Sequence, residues 1–294
     1  MVLPQYVTDC IQALEAAGFA AYCVGGCVRD DCLGLQPADF DLCTSALPEQ
    51  TETVFSDKQL VLGIAAAAVR GLLYLTAVDG KGMLIRGHFL GILLMILCAA
   101  AVLSVLYVIR LKGSDAFSDN FRPSTPAAVG CAVMAAGVLL TLLTGNAMPR
   151  PRLVQLWYLS GILGVAGLIW AGLSRYRGQQ PFMLCYGVLT VFLALHMVSR
   201  YQPWSGDPQS QDWIFSLLGA IGLTLCSYCN RAFCADKGKR RSFLATSLLT
   251  VFACCAALPH TEYFWLYLGG GIWAFTGICR VTPVPLPESA PETE

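Results

Sequence analysis

Two glycines, one arginine and two aspartates in the first fifth of the chain have the types and spacing for phosphoryl chemistry. Gly25 and Gly26 follow an apolar run, and paired glycines let backbone N–H groups approach an anion with no Cβ in the way. Arg29 comes three residues later, where a guanidinium adds a bidentate grip on phosphate oxygens, and Asp30 beside it is placed to orient that guanidinium. Asp39-Phe40-Asp41 comes after the turn signals Gly34 and Pro37. On a strand the two carboxylates share a face while Phe40 points to the other. Two such carboxylates opposite a phosphate cradle suit Mg²⁺ and nucleotidyl transfer.

The elements needed to position these groups can be read around them. Val7 to Ala17 has the spacing of an amphipathic helix, Ala20 to Val24 reads as a strand, and Arg29 falls on the first turn of a short helix. A second strand then carries Asp39 and Asp41. In this order and spacing, residues 3–57, including GFAAYCVGGCVRDDCLGLQPADFDLCTSALPE, closely resemble the start of the CCA-adding tRNA nucleotidyltransferases and the related bacterial poly(A) polymerases. The resemblance implies that Gly26 and Arg29, with Gly25, contact an incoming nucleoside triphosphate. It also implies that Asp39 and Asp41 are the catalytic, metal-holding pair for Mg²⁺, that Thr44 and the helix after Pro48 support the site, and that tRNA is the partner substrate. The family continues with a strand bearing a third carboxylate and with Arg-Arg-Asp and Glu-Asp-x-x-Arg motifs. Here the match is expected to fade between Phe55 and Leu60, and neither motif occurs in the chain.

Beyond residue 57 the chain changes character. Of the 294 residues 56% are hydrophobic and 13% charged, against roughly 25% charged in soluble domains, and the mean hydropathy is +0.60. That balance places most of the chain in a lipid bilayer. A net charge of zero says nothing of partners, because acids gather near both ends and bases between apolar runs. No basic, apolar and small-residue sequence of a signal peptide opens the chain, so the first 57 residues are expected in the cytoplasm. The 14 cysteines lie either in that stretch or mostly within apolar runs, which favours reduced thiols.

Apolar runs suited to membrane helices cover Leu60–Val78, Phe89–Ile109, Ala127–Thr144, Leu153–Leu173, Phe182–Val198, Trp213–Tyr228, Phe243–Leu258 and Tyr263–Ile278. With the N-terminus inside, cytoplasmic loops carry Arg110, Lys112, Arg122, Arg175, Arg177, Arg231, Lys237, Lys239, Arg240 and Arg241. The outer loops carry only Lys81, Arg86, Arg150, Arg152 and Arg200. The bias puts both termini in the cytoplasm, as in a bacterial-type plasma membrane. Trp157, Tyr158, Trp204, Trp213, Tyr263 and Trp265 are expected as interfacial rings near span ends. Ser160 with Gly164, Gly167 with Ala171, and Gly269 to Gly271 mark close helix packing.

Other residues have both a chemical and a structural reading. Arg70, inside the first apolar run, either pairs within a bundle or snorkels to the interface. Cys226, Cys229 and Cys234 are spaced to bind zinc or iron–sulfur but have no local fourth ligand, which favours apolar helix-end cysteines. His88, His196 and His260 have no ligand spacing. His196 lies inside a span and is expected in a hydrogen-bonded packing role, with a proton path as the alternative. Lys237 to Arg241 (KGKRR) sets topology or meets anionic headgroups.

The expected architecture is mainly α. A truncated α+β nucleotidyltransferase-like fragment (1–57) precedes a polytopic helical membrane bundle of about eight spans (58–280), and a disordered, acidic, proline-rich tail (281–294) ends the chain. The expected function is that of an integral membrane protein with a lipid bilayer as partner and an incomplete, inactive N-terminal fragment. The alternatives are an active RNA nucleotidyltransferase adding CTP or ATP to tRNA 3′ ends by two-metal catalysis, and a nucleotide-sensing transporter or regulator.

Overall fold

A computed structural model describes residues 3–34, 37, 40–46, 48–77, 88–108, 117–121, 123–144, 151–205 and 210–278. The chain divides into two compact units, Met1–Asp57 and Lys58–Glu294. The expected tail lies outside the described residues.

The first unit opens with α1 (Gln5–Ala16), succeeded by β1 (Ala21–Val24), α2 (Gly26–Cys32) and β2 (Asp41–Thr44). Val7, Cys10 and Leu14 recur at helical spacing and give α1 one buried face. Leu14 packs with Ala21 and Ala46, flanked by Ile11 and Phe19. β1 and β2 pair antiparallel with Ala21 opposite Thr44 and Val24 opposite Asp41. Among the described residues they are the whole sheet. Ala21, Cys23, Leu42 and Thr44 are buried or half-buried on one face, while Tyr22, Val24, Asp41 and Cys43 are exposed on the other. Thr44 holds the open end of the pair: its Oγ1 donates to the Ala20 carbonyl at 2.8 Å and accepts the Ala46 N–H at 3.1 Å. Ser45 Oγ accepts the Ala20 N–H.

From Pro48 the chain runs as α3 to Thr76. The second unit continues with α4 (Phe89–Val108), the one-turn α5 (Phe117–Asn120), α6 (Thr125–Thr144), α7 (Pro151–Arg177), α8 (Met183–Ser205), α9 (Ser210–Phe233), α10 (Arg240–Ala257), a 3₁₀ turn (Leu258–His260) and α11 (Phe264–Ile278). Each expected apolar run centres on one of these helices, and its ends at Val78 and Ile109 lie outside the described residues. Five segments are long and apolar enough to cross a membrane: Thr125–Thr144, Leu153–Arg177, Met183–Tyr201, Trp213–Phe233 and Arg240–His260. Leu60–Thr76, Phe89–Val105 and Phe264–Ile278 are shorter apolar helices. Eight spans are therefore more than the described helices establish by length alone.

The core of this unit contains Met134, Val138, Leu168, Leu189, Phe192, Leu223, Leu266 and Trp273. α6 and α11 approach most closely, because small residues face each other. A Cβ on Gly137 would stand 2.5 Å from the Trp265 carbonyl oxygen, and one on Gly269 would stand 3.0 Å from that of Val133. Gly167 serves α7 and α8 likewise, 2.9 Å from the Cys185 carbonyl oxygen by the same measure. Ser124 caps α6 through Oγ, which accepts the Ala127 N–H.

Candidate functional site

The connection between β1 and α2 is built on Gly25. Its φ of +80° and ψ of −138° suit glycine alone, and they turn the chain from the strand into a helix that starts at Gly26. Because Val24 pairs with Asp41 in the sheet, this turn sits against the Asp41 carboxylate. A Cβ at Gly25 would stand 3.0 Å from Asp41 Oδ2. The strand register thus joins the glycine turn to one of the two expected carboxylates. Cys27 fixes the turn from beneath: it is buried, and its thiol donates to the Val24 carbonyl. Burial, with Cys27 nearby as the second cause, raises the Cys23 thiol above its usual range.

Arg29 lies one turn into α2. Its Nε and Nη2 both donate to Asp30 Oδ1, at 2.9 and 2.8 Å, so the acid beside it orients it as its sequence position predicts. The guanidinium is 72% exposed, leaving its remaining donors open to a ligand. Asp41 is exposed at the start of β2, directly after Phe40, which precedes the strand. Asp39 lies outside the described residues, so the expected Asp39–Asp41 pair is seen only through Asp41. Among the described residues no group of three or more His, Cys, Asp or Glu side chains is placed to hold a metal. A single carboxylate suits a hard cation such as Mg²⁺ in kind, but supplies little of its six-fold oxygen coordination.

In the second unit, Arg70 is 1% exposed, and its Nη1 donates to the carbonyls of Ala256 and Ala257, at 2.7 and 3.3 Å, where α10 ends. Its guanidinium also lies 5.0 Å from the Phe215 ring centroid and 5.5 Å from that of Tyr74. Arg70 is therefore held inside the bundle and does not snorkel. It lines an apolar cavity of about 210 Å³ with Leu73, Leu94, Met95 and Phe215. Cys226 is buried against the Ser247 hydroxyl, and Cys229 accepts a hydrogen bond from Thr246, so both thiols face α10. Burial pushes the Cys234 thiol, just past α9, up to about 12.

Several expectations change. Trp157 and Tyr263 are buried rather than interfacial. Their rings surround His196, with Trp157 stacked at 6.3 Å and Tyr263 edge-on at 4.6 Å. His196 does pack, but among the described residues neither ring nitrogen has a hydrogen-bond partner. Arg175 and Arg240, counted as loop cations, are buried at 4% and 5% exposure. The sequence signal missed here was position: each falls within the end turn of a helix, not beyond it.

Residues 21–72 match the Poly A polymerase head domain family. The match enters the apolar part of α3, past the boundary expected before Leu60. Poly(A) polymerase I of Haemophilus influenzae is 45% identical over 53 residues, 18% of this chain and 12% of that protein. The CCA-adding enzyme of Lactiplantibacillus plantarum is 51% identical over 45 residues, 15% and 11% of the two chains. Poly(A) polymerase I of Salmonella typhi is 50% identical over 48 residues, 16% and 10%. The chain thus spans about a tenth of the length of the curated relatives it matches. No solved structure matches the chain.

Proposed function

We propose that this chain is an integral membrane protein of about eight spans that carries part of a nucleotidyltransferase head, and that this part does not transfer nucleotides by itself. One observation carries the second half of the proposal. β2, which bears Asp41, has a single neighbour among the described residues, and the chain from it leads into α3 instead of a further strand. A catalytic sheet needs more strands to bury its faces, and here the face that presents Asp41 also exposes Tyr22 at 66%. The membrane half is supported by five suitably long apolar helices and by the exposed apolar side chains of α4 and α7, among them Met95, Leu103, Ile162 and Trp170. Both termini are assigned to the cytoplasm from the loop charges.

In this reading Gly25, Gly26 and Arg29 bind triphosphate oxygens, and Asp39 with Asp41 holds Mg²⁺. Two activities of the relatives, poly(A) synthesis and CCA addition, give the nucleotide and RNA substrates that the fragment would meet. The test is incorporation of labelled CTP or ATP into tRNA by the full chain in detergent. No incorporation above an Asp39→Ala, Asp41→Ala double variant is expected. Incorporation that the double variant abolishes would establish an active transferase instead. Resistance of the protein to alkaline extraction from membranes tests the membrane half, and its release would refute that half.

A further inference from the structure

Three arginines of this chain show three ways to satisfy a guanidinium. Arg29, exposed, gives Nε and Nη2 to a carboxylate. Arg70, buried, gives Nη1 to the carbonyls at a helix end. Arg175 is also buried, at 4% exposure, yet among the described residues its Nε and Nη2 have no hydrogen-bond partner. Those two nitrogens form the side-on edge of the fork, the edge that grips two oxygens of one oxyanion.

The surroundings hold the guanidinium in place, with the Tyr186 hydroxyl and the Cys131 and Cys234 thiols as its electrostatic neighbours. Arg175 lies in the last turn of α7, where its carbonyl accepts the Ser124 N–H at 3.1 Å. Its guanidinium sits 4.1 Å from the Phe121 ring centroid and 5.9 Å from that of Phe117, so ring faces fix the cation's plane. An acid at this corner, Asp236, is otherwise engaged: Oδ1 accepts the Phe117 N–H and Oδ2 accepts from Gln180 Nε2. Phe121 packs on Phe233 and Phe243, and beside these the chain carries Lys237, Lys239 and Arg241, all exposed, with exposed Arg177 at the end of α7. A buried cation is normally paired, and among the described residues no ion pair or hydrogen bond reaches Arg175 Nε or Nη2.

We infer that Arg175 is the inner half of a site for a phosphate group, with Arg177, Lys237, Lys239 and Arg241 as its outer, basic rim. The inner fork recognises two phosphate oxygens, and the rim raises the local concentration of the anion. An anionic phospholipid headgroup and a free phosphate compound present the same group. The lipid source rests on the proposal that the chain spans a membrane.

The test uses the full chain in neutral detergent. Retention of phosphatidylglycerol is compared with that of phosphatidylcholine by native mass spectrometry, and inorganic phosphate serves as competitor. Selective retention of phosphatidylglycerol is expected, falling about tenfold or more in Arg175→Gln. Arg175→Lys keeps the charge but not the fork, and should lose a similar factor. It carries the test if the glutamine variant does not fold. Displacement by inorganic phosphate assigns the site to a soluble phosphate ligand, and resistance to displacement assigns it to a headgroup. Wild-type retention no greater for phosphatidylglycerol than for phosphatidylcholine, with no phosphate binding, overturns the site. So does undiminished binding in Arg175→Lys with all loss in an Arg177, Lys239 and Arg241 triple glutamine variant. Alkaline extraction of the same membranes is scored in parallel, so failure of the site and failure of membrane insertion read separately.

Discussion

The two units invert each other. Met1–Asp57 holds the residues with recognisable chemistry, yet it rests on a small cluster around Leu14, Ala21 and Ala46 and leaves one sheet face open. Lys58–Glu294 has an extensive core in which Trp157, Phe192, Leu223 and Tyr267 are almost wholly enclosed, yet the sequence points its polar residues to no particular reaction. The difference shows that a motif records where chemistry can occur, whereas burial decides whether the motif is held. A unit of this size lies near the lower limit for independent folding.

Changes at the helix seams should sharpen that contrast most. Gly137→Leu drives a side chain into the Trp265 carbonyl, and the cost is expected at or beyond ~3 kcal/mol, the upper end of usual overpacking. Thermal unfolding of the second unit in detergent should show it, and an unchanged midpoint would mean that α6 and α11 do not meet. Arg70→Ala removes a charged donor from two carbonyls and should cost about 3 kcal/mol by the same measurement. A wild-type midpoint would put Arg70 at the interface after all.

The first unit should respond to smaller insults with larger consequences. Gly25→Ala forces an L residue into glycine-only backbone against Asp41, at about 2 kcal/mol. In so small a unit that is enough to expose α1 and the strands to protease, and persistent protection would break the comparison. Thr44→Val deletes two hydrogen bonds and should cost about 1 kcal/mol, seen as faster amide exchange at Ala46. The smallest effect is chemical. With its folded value near 12, Cys234 stays a thiol at about pH 8.5 and should alkylate more slowly than exposed Cys32 and Cys43. The sign is that of a raised group: its contribution to stability is complete below the ordinary thiol value and is lost as pH climbs towards 12.

Much of this was legible in the sequence because local rules governed it. The glycine pair, Asp30 beside Arg29 and the turn at Gly34 are contacts between near neighbours, and composition alone marks the apolar helices. The adjacency of Gly25 and Asp41 also emerges once the two strands pair. The rest depends on contacts distant in the chain. Nothing around Arg175 announces that Phe121 will cover it, and nothing around His196 announces that Trp157 and Tyr263 will enclose it without bonding to it. Aromatic residues near span ends suit an interface and a core equally well, and only the packing of α7, α8 and α11 decides between them.

The glycine seam between α6 and α11 also sets a timetable. Translation delivers α6 long before α11, with four helices made in between. Until α11 leaves the ribosome, the narrow track at Gly130 and Gly137 has no backbone to receive. This joint is therefore made late relative to α6, after the four helices between its two partners have been synthesised.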